Sequence, residues 1–211
     1  MAATVDHLLW GSRDLDGAVD ALHARSGVRA APGGRHPELG THNALARLAY
    51  RVFLELIAPD PDLVPGEFAR RLGALAAPTL VMWAARTSDA TATAARAREA
   101  GYAAVLTDGH RIRPDGTVVR WVNVFVSGHG AGTLVPFFVE WRGGHPAADA
   151  PAGLALASFA LETPQPAAVR TVLDALGVKV AVRKGARDRL LATIDGAREP
   201  LVLSGPDAAA G

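Results

Sequence analysis

The chain has 211 residues, 49% of them apolar, so it can bury about 70% of its unfolded surface without a disulfide or structural metal. It contains no cysteine, which excludes thiol nucleophiles, zinc–thiolate sites and iron–sulfur clusters. The net charge is +1 with no cluster of basic residues, so we expect no nucleic-acid partner. Because no stretch approaches the ~20 apolar residues of a membrane span and the first residues lack a secretion pattern, we expect a cytoplasmic protein with no membrane partner.

Hydrophobic periodicity predicts a strand, a helix and three further strands in the first part of the chain. The predicted strands cover residues 5–10, 28–31, 41–48 and 51–58, and the helix covers residues 14–25. Gly27 suits the C-terminal cap of this helix, because glycine readily adopts the left-handed conformation found there. The glycine-rich segment 32–40 is predicted to be a loop between the second and third strands.

The same order of elements recurs twice along the chain. The second repeat is predicted as a strand at 79–85, a helix ending near 100, and strands at 104–107, 117–126 and 134–141. The third is predicted as a strand at 154–162, a helix at 166–176, and short strands at 178–182, 190–194 and 200–203. Residues 1–148 therefore hold two complete units, at 5–58 and 79–142, followed by a degenerate third unit at 149–205 and a frayed tail at 206–211.

Three predicted strands carry a charged or imidazole side chain among apolar residues: His7, Glu55 and Glu140. A buried carboxylate without a partner is costly, so each glutamate needs a cation, an arginine or a hydrogen-bond cluster. Glu55 and Glu140 occupy the same place, the last strand of their units, and imidazole commonly joins carboxylates in metal sites. The pattern indicates one shared site. The alternative is structural ion pairing with arginines, for which the candidates are Arg47, Arg51 and Arg120.

The segment GGRHPELGTHN places polar side chains between two strands of the first unit. Arg35, His36 and Asn43 are candidate contacts for an anionic or carbonyl substrate, since loops on a rigid sheet often carry recognition groups. His42 is a candidate general base, because imidazole titrates near neutrality. The alternative is that the glycines form a turn and the polar groups satisfy the loop backbone.

The predicted strands of the second unit contain three tryptophans, and aromatic side chains often wall small-molecule clefts. Trp83 and Trp121 are therefore candidate substrate contacts, with packing in the core as the alternative. The glycine-rich SGHGAGT lacks the lysine and the following helix of a phosphate-binding loop. No nucleophile-elbow motif is visible in the sequence either.

The chain resembles the glyoxalase-like proteins of the vicinal oxygen chelate superfamily in six segments: DHLLWGSRDLDGAV, GGRHPELGTHNAL, FLELIAPDP, RPDGTVVRW, PFFVEW and GGHPAADAPAG. The resemblance spans nearly the whole chain. It implies an α+β fold in which repeated βαβββ units form a half-open, mainly antiparallel β-barrel. It also implies a divalent metal in the concavity, with His7, Glu55 and Glu140 as ligands, whereas the fourth ligand place falls near Leu80 or Met82, which cannot ligate. Such a site suits Mn, Fe, Ni, Co or Zn.

The activity that this resemblance implies is metal-dependent chemistry on a small carbonyl or enol substrate, with Glu140 also acting catalytically. Isomerase, lyase and dioxygenase outcomes are all open. Some members of the superfamily have lost the metal and bind drugs, so the alternative is a metal-free protein that sequesters a hydrophobic or drug-like ligand. The third unit has no candidate ligands, and we predict that it packs on the barrel or pairs with its copy in a homodimer.

Overall fold

The computed structural model describes residues 3–196 and 198–205, which form twelve strands and four α-helices. The predicted α+β class with a curved, mostly antiparallel sheet is confirmed. The predicted tail at 206–211 lies outside the described residues. The first unit contains β1 (Thr4–Gly11), α1 (Leu15–Ser26), β2 (Ala31–His36), β3 (Thr41–Ala49) and β4 (Val52–Pro59), and α2 (Glu67–Gly73) connects it to the second. The second contains β5 (Thr79–Arg86), α3 (Ala90–Glu99), β6 (Ala103–Ile112), β7 (Val118–Ser127) and β8 (Phe137–Arg142).

Eight strands of the first two units form one ring in the order β1-β4-β3-β2-β6-β7-β8-β5. Within each unit the first strand runs parallel to the last, and the remaining neighbours are antiparallel. On one side β1 and β5 pair along most of their length, whereas on the other side β2 meets β6 through one residue pair, Arg35 with Ile112. The ring is therefore held together most weakly between β2 and β6.

The position of β2 differs from the prediction, which placed a strand at 28–31 and a loop at 32–40. The strand covers Ala31–His36 and therefore includes two of the three glycines of the predicted loop, Gly33 and Gly34. Gly34 has φ of 145°, and a Cβ there would lie 2.3 Å from the carbonyl oxygen of Ile112, so glycine is what lets β2 approach β6. As a result, Arg35 and His36 lie on a strand of the barrel.

The third unit keeps the predicted order of elements but not the strand order of the first two. It contains β9 (Ala155–Thr163), α4 (Pro166–Ala175), β10 (Ala181–Lys184), β11 (Arg189–Asp195) and β12 (Leu201–Gly205). Its sheet runs β10-β9-β11-β12, so the first strand lies beside the second and third strands instead of the last. The unit packs on β5 of the barrel, where Thr79 Oγ1 donates to the Ser204 carbonyl at 2.8 Å and Trp83 meets Phe159 edge to face at 5.1 Å. None of the helices in this described part of the chain is long and apolar enough to cross a membrane.

Candidate functional site

A pocket of about 230 Å³ lies inside the barrel and is lined by both barrel units. Most of its wall is apolar or aromatic. The second unit contributes Met82, Trp121, Phe125, Phe137, Val139 and Trp141. The polar lining residues are His7, His36, Asn43, Glu55, Arg111 and Asn123. An apolar cleft with a few convergent polar groups is the usual form of a small-molecule site.

A buried carboxylate, Asp6, holds one side of His7. The pairing of β1 with β5 is irregular just before His7, and strict alternation along the strand would separate the two side chains. Here Asp6 Oδ1 lies 2.8 Å from His7 Nδ1, and the carboxylate also accepts from Trp141 Nε1 at 3.1 Å and from His145 Nε2 at 3.0 Å. Burial acts to raise the pKa of Asp6, but the hydrogen bonds with His145 and His7 outweigh it and hold that pKa well below its usual range. Asp6 is therefore ionised at neutral pH.

The proton on His7 follows from this arrangement. An ionised carboxylate only accepts hydrogen bonds, so Nδ1 of His7 carries a proton and Nε2 faces Glu55 Oε2 at 3.5 Å. Nε2 and Oε2 therefore face each other in the wall of the pocket, where either can exchange a proton with a bound molecule. Stacking on Phe53 at 4.6 Å fixes the plane of the imidazole. The pair can thus both accept and donate a proton in the pocket.

The second oxygen of Glu55 is held by Asn43, whose Nδ2 donates to Oε1 at 2.5 Å. The amide oxygen of Asn43 in turn accepts from Arg111 Nη1 at 3.4 Å. Gly33 leaves room for this contact, because a Cβ there would lie 2.2 Å from Asn43 Oδ1 and 2.7 Å from Arg111 Nη1. A continuous network therefore runs from the carboxylate of Asp6 to the guanidinium of Arg111 along the polar side of the pocket.

Glu140 does not share this pocket, so the predicted cluster of His7, Glu55 and Glu140 is not assembled. Side chains alternate along β8, and Val139 faces the pocket while Glu140 faces the outside of the barrel. There its Oε2 accepts from the backbone N–H of Ala90 at 2.8 Å and its Oε1 pairs with Arg142 at 2.6 Å. A carboxylate at a helix N-terminus is favourable, so Glu140 acts as a cap for α3.

Three further residues of the predicted site also lie outside the pocket lining. Arg35 is half-exposed and pairs with Asp60 at 3.0 Å and with Asp62. His42 precedes Asn43 on β3 and so lies on the strand face that points away from the pocket. Trp83 is only 1% exposed and belongs to the main core, where Nε1 donates to a backbone carbonyl. The core-packing alternative therefore holds for Trp83.

His36, Asn43 and Trp121 do line the pocket, as predicted for substrate contacts. His36 Nδ1 lies 3.0 Å from Thr41 Oγ1, and its ring meets Trp121 edge to face at 5.9 Å. Burial lowers the pKa of His36 to about 4, against an opposing effect of the nearby Glu55 charge. The imidazole is therefore neutral at pH 7 and acts as a hydrogen-bonding group, without a charge.

The donor set does not fit the divalent metal that the family resemblance implies. No group of three histidine, cysteine, aspartate or glutamate side chains among residues 3–196 and 198–205 could hold a metal ion. His7 and Glu55 are suitable ligands from the first unit. The first and last strands of the second unit, however, present Met82 and Val139 to the pocket, which are not ligands for such an ion.

Sequence reasoning missed two members of the network, Asp6 and Arg111. Asp6 was missed because the irregularity in β1 cannot be read from the sequence. An aspartate in an apolar strand nevertheless carries the same signal that singled out Glu55. Arg111 lies beyond the predicted end of its strand at residue 107, whereas β6 continues to Ile112. A longer hairpin prediction across the turn at 113–117 would have placed Arg111 on a barrel strand.

The sequence matches the family described as "Glyoxalase-like domain" over residues 5–177, and the chain belongs to this family of the vicinal oxygen chelate superfamily. The superfamily predicted from the sequence is thereby confirmed. A hypothetical protein from Staphylococcus aureus has the same fold, with a TM-score of 0.63 and 13% identity over 96% of this chain and 85% of that chain.

Two solved methylmalonyl-CoA epimerases are less similar in structure. That of Mycobacterium tuberculosis gives a TM-score of 0.46 at 22% identity, over 68% of this chain and 90% of that one. That of Streptomyces coelicolor, solved with 2-nitronate-propionyl-CoA, gives a TM-score of 0.46 at 19% identity, over 68% of this chain and 100% of that one. A comparison with curated protein sequences finds no match.

Proposed function

We propose that the protein is an enzyme that moves a proton on a small carbonyl or enol substrate bound in the barrel pocket. The observation that supports this is the His7–Glu55 pair, in which Nε2 and Oε2 are buried, lie 3.5 Å apart and open onto a largely apolar pocket. Paired titratable groups in a cleft are typical of acid–base sites. Isomerase and lyase reactions of carbonyl compounds both begin with such a transfer, so the proposal keeps both outcomes.

The roles of the individual residues follow from their contacts. Asp6 keeps the Nδ1 proton of His7 in place, so Nε2 is the nitrogen that exchanges a proton with substrate. Asn43 fixes one oxygen of Glu55 and leaves the other facing His7. A substrate C–H beside a carbonyl would lose its proton to the free base of this pair. The pair would then return that proton to another atom of the same substrate.

Proton exchange into deuterated water tests this proposal directly. A panel of α-keto and 1,3-dicarbonyl compounds is incubated with the protein, and loss of the C–H signal is followed by proton NMR. We expect exchange with the native protein and a loss of about 10²–10⁴-fold in Glu55→Gln and His7→Gln. Glu162→Gln is the matched control, since Glu162 pairs with Arg189 in the third unit. Equal exchange in Glu55→Gln and the native protein would refute the proposal.

The same assay addresses metal dependence, which the family resemblance implies and the donor set does not fit. We expect the exchange rate to be unchanged after treatment with a chelator. Loss of exchange on chelation, with recovery on adding Mn or Ni, would instead support the metal-dependent enzyme predicted from the sequence. Metal content is then measured on protein without a histidine tag, so that the tag does not bind the ion.

A second candidate is a binding protein that sequesters a small hydrophobic ligand without reaction. The observation that favours it is the aromatic wall, where Trp121 and Trp141 meet edge to face at 5.4 Å beside Phe137 and Phe125. It predicts thermal stabilisation by apolar ligands that is equal in the native protein and in Glu55→Gln. Stabilisation without any C–H exchange would select this candidate over the enzyme.

A further inference from the structure

Arg111 is a buried cation whose hydrogen-bonding capacity is largely unused. Its side chain lines the barrel pocket, and the residue is 4% exposed. Its one side-chain hydrogen bond, to Asn43 Oδ1, is long at 3.4 Å, and Nε has no partner among residues 3–196 and 198–205. Burial lowers the pKa of Arg111, yet a guanidinium titrates so far above neutrality that the group stays charged at pH 7.

Charge balance around Arg111 is also incomplete. Within the described part of the chain it forms no salt bridge, and the carboxylate of Glu55 is reached only through the amide of Asn43. The neighbouring Arg113, by contrast, is paired with Asp149 at 3.0 Å. A guanidinium offers five N–H donors in a planar fork that matches a carboxylate, and leaving these donors unpaired in a buried site is costly.

A second unmatched polar atom lies on the next strand. Asn123 of β7 lines the same pocket, and its Oδ1 is buried without a hydrogen-bond partner in the described residues. The ladder pairs Arg111 with Val119, so Asn123 lies four residues further along β7, about 13 Å at the usual rise of a strand. The pocket therefore presents unused donors near one end, an unused acceptor further along and aromatic side chains between them.

We infer that Arg111 binds the carboxylate of the substrate, and that the substrate is a carboxylic acid with an apolar or aromatic body and a distal hydroxyl or amino group that donates to Asn123. The inference rests on the proposed function in sharing its pocket, and it adds the substrate class. The carboxylate completes the partners of Arg111, while the body fills the space beside Trp121 and Trp141. The reacting carbon would then lie beside the His7–Glu55 pair.

Matched acid and amide pairs test this assignment through binding alone. The probes are benzoate, phenylacetate and 3-phenylpropanoate, each compared with its amide by calorimetry. We expect at least one acid to bind about 10- to 100-fold more tightly than its amide, the range of one charge-assisted contact. In Arg111→Gln and Arg111→Met this preference should disappear while the amide binds as before. Two variants are used so that misfolding of one, checked by circular dichroism, leaves the other informative.

The matched control is Arg113→Gln, which removes a charge two residues away on the wall of the neighbouring outer pocket, which Arg111 also lines. The preference for the acid should survive in this variant, and its loss there would place the anion in the outer pocket and overturn the inference. Adding a 4-hydroxyl to 3-phenylpropanoate should improve affinity in the native protein but not in Asn123→Ala. Equal binding of acids and amides, or binding of neither, would also overturn it.

These measurements are repeated in Glu55→Gln, so that the two hypotheses fail separately. Preference for the acid in that variant, together with unchanged C–H exchange, would leave the carboxylate site in place and remove the proposed acid–base role. If the native protein exchanged C–H protons of neutral carbonyl compounds but bound acids and amides equally, the acid–base role would stand and the carboxylate contact would be refuted. Each outcome therefore shows whether the carboxylate contact of Arg111 or the acid–base role of His7 and Glu55 is wrong.

Discussion

The chemistry of the pocket depends on which nitrogen of His7 carries the fixed proton. Asp6 decides this, because it accepts from Nδ1 at 2.8 Å while Nε2 faces Glu55. His145 supports Asp6 from behind, since its Nδ1 accepts from the N–H of Ala147 at 3.2 Å and its Nε2 therefore donates. Asp6 and His145, which do not line the pocket, thus fix the tautomer of His7, which does.

Replacing Asp6 with asparagine tests this arrangement. The amide can donate to Nδ1 and so reverse the tautomer of His7, which would leave Nε2 protonated towards Glu55. We expect C–H exchange to fall by about 10²–10⁴-fold with little change in ligand affinity. Nitrogen-15 NMR of the imidazole reports the tautomer. An unchanged tautomer with full exchange would contradict the role given to Asp6.

The buried His36 predicts a dependence of stability on pH. Its folded pKa is about 4 against an ordinary value of 6.5, so between these values the unfolded chain binds a proton that the folded chain does not. The free energy of unfolding should therefore fall as pH falls from 6.5 to 4, by on the order of 3 kcal/mol in all. Urea denaturation at each pH measures it.

His36→Gln supplies the control, because glutamine does not titrate. In this variant the free energy of unfolding should be nearly flat between pH 6.5 and 4. A further loss below about pH 4 should remain in both proteins, since the pKa of Asp6 is lowered on folding and its stabilisation is lost on protonation. If the free energy of unfolding fell equally steeply with falling pH in both proteins above pH 4, the buried, neutral state of His36 would be contradicted.

Among the strands, β2 is the element on which the network most depends. Gly33 gives the side chains of Asn43 and Arg111 the space that a Cβ would fill. We expect Gly33→Ala to displace the Asn43 amide from Glu55, to destabilise the fold by about 1–3 kcal/mol and to abolish discrimination between acids and amides. Thermal denaturation and the binding assay measure both effects.

The matched control for this substitution is Gly73→Ala, at the end of α2. A Cβ there would lie 3.7 Å from Pro59 Cγ, which is an ordinary van der Waals contact. Stability should be unchanged or slightly higher in this variant, because alanine favours the helix over glycine. If Gly33→Ala also left stability unchanged, the close contacts of Gly33 with Asn43 and Arg111 would not matter for the fold.

The existence and order of the elements could be predicted because each carries its own local periodicity. His7 and Glu55 could be predicted as pocket residues because a polar residue in an apolar strand needs a partner. Asn43 could be predicted because it lies in a polar segment between two strands, where recognition groups are common. Glu140 carries the same signal, yet its partner is a helix N-terminus, which periodicity does not distinguish from a pocket. The position of β2 depends on contacts with β6, and such long-range pairing leaves no local mark on the sequence.

On the scale of the whole molecule, one hydrophobic core joins the outer face of the barrel to the third unit. It includes Leu8 and Trp83 of the barrel together with Leu161 and Leu203 of the third unit. The predicted packing of this unit against the barrel is therefore present, although its strand order is its own. Because the core is continuous, we expect the barrel and the third unit to unfold together.

Leu161→Ala tests that cooperativity. All four tryptophans lie in the barrel, at positions 10, 83, 121 and 141, so their fluorescence reports mainly the barrel, and Trp83 also reports the contact with Phe159 of the third unit. Loss of the fully buried Leu161 side chain should lower the free energy of unfolding by about 2–5 kcal/mol when it is followed by this fluorescence. Val202→Ala, at a 60% exposed position of the same sheet, should change it little. An unaltered fluorescence midpoint in Leu161→Ala would show independent unfolding.

The homodimer predicted from the unpaired third unit remains a prediction. Light scattering at micromolar concentration measures it, and a monomeric mass would contradict it. A cytoplasmic location likewise remains a prediction from the sequence.

The two barrel units contribute different kinds of side chain to the pocket. The first contributes His7, Asn43 and Glu55, and the second contributes the aromatic wall together with Arg111. Under the proposed function, the proton-transferring side chains lie in the first unit and most of the substrate-contacting wall lies in the second. Substitutions in the second unit would then change which compound binds while the first unit kept its reaction, so descendants of this chain could acquire new substrates and retain their chemistry.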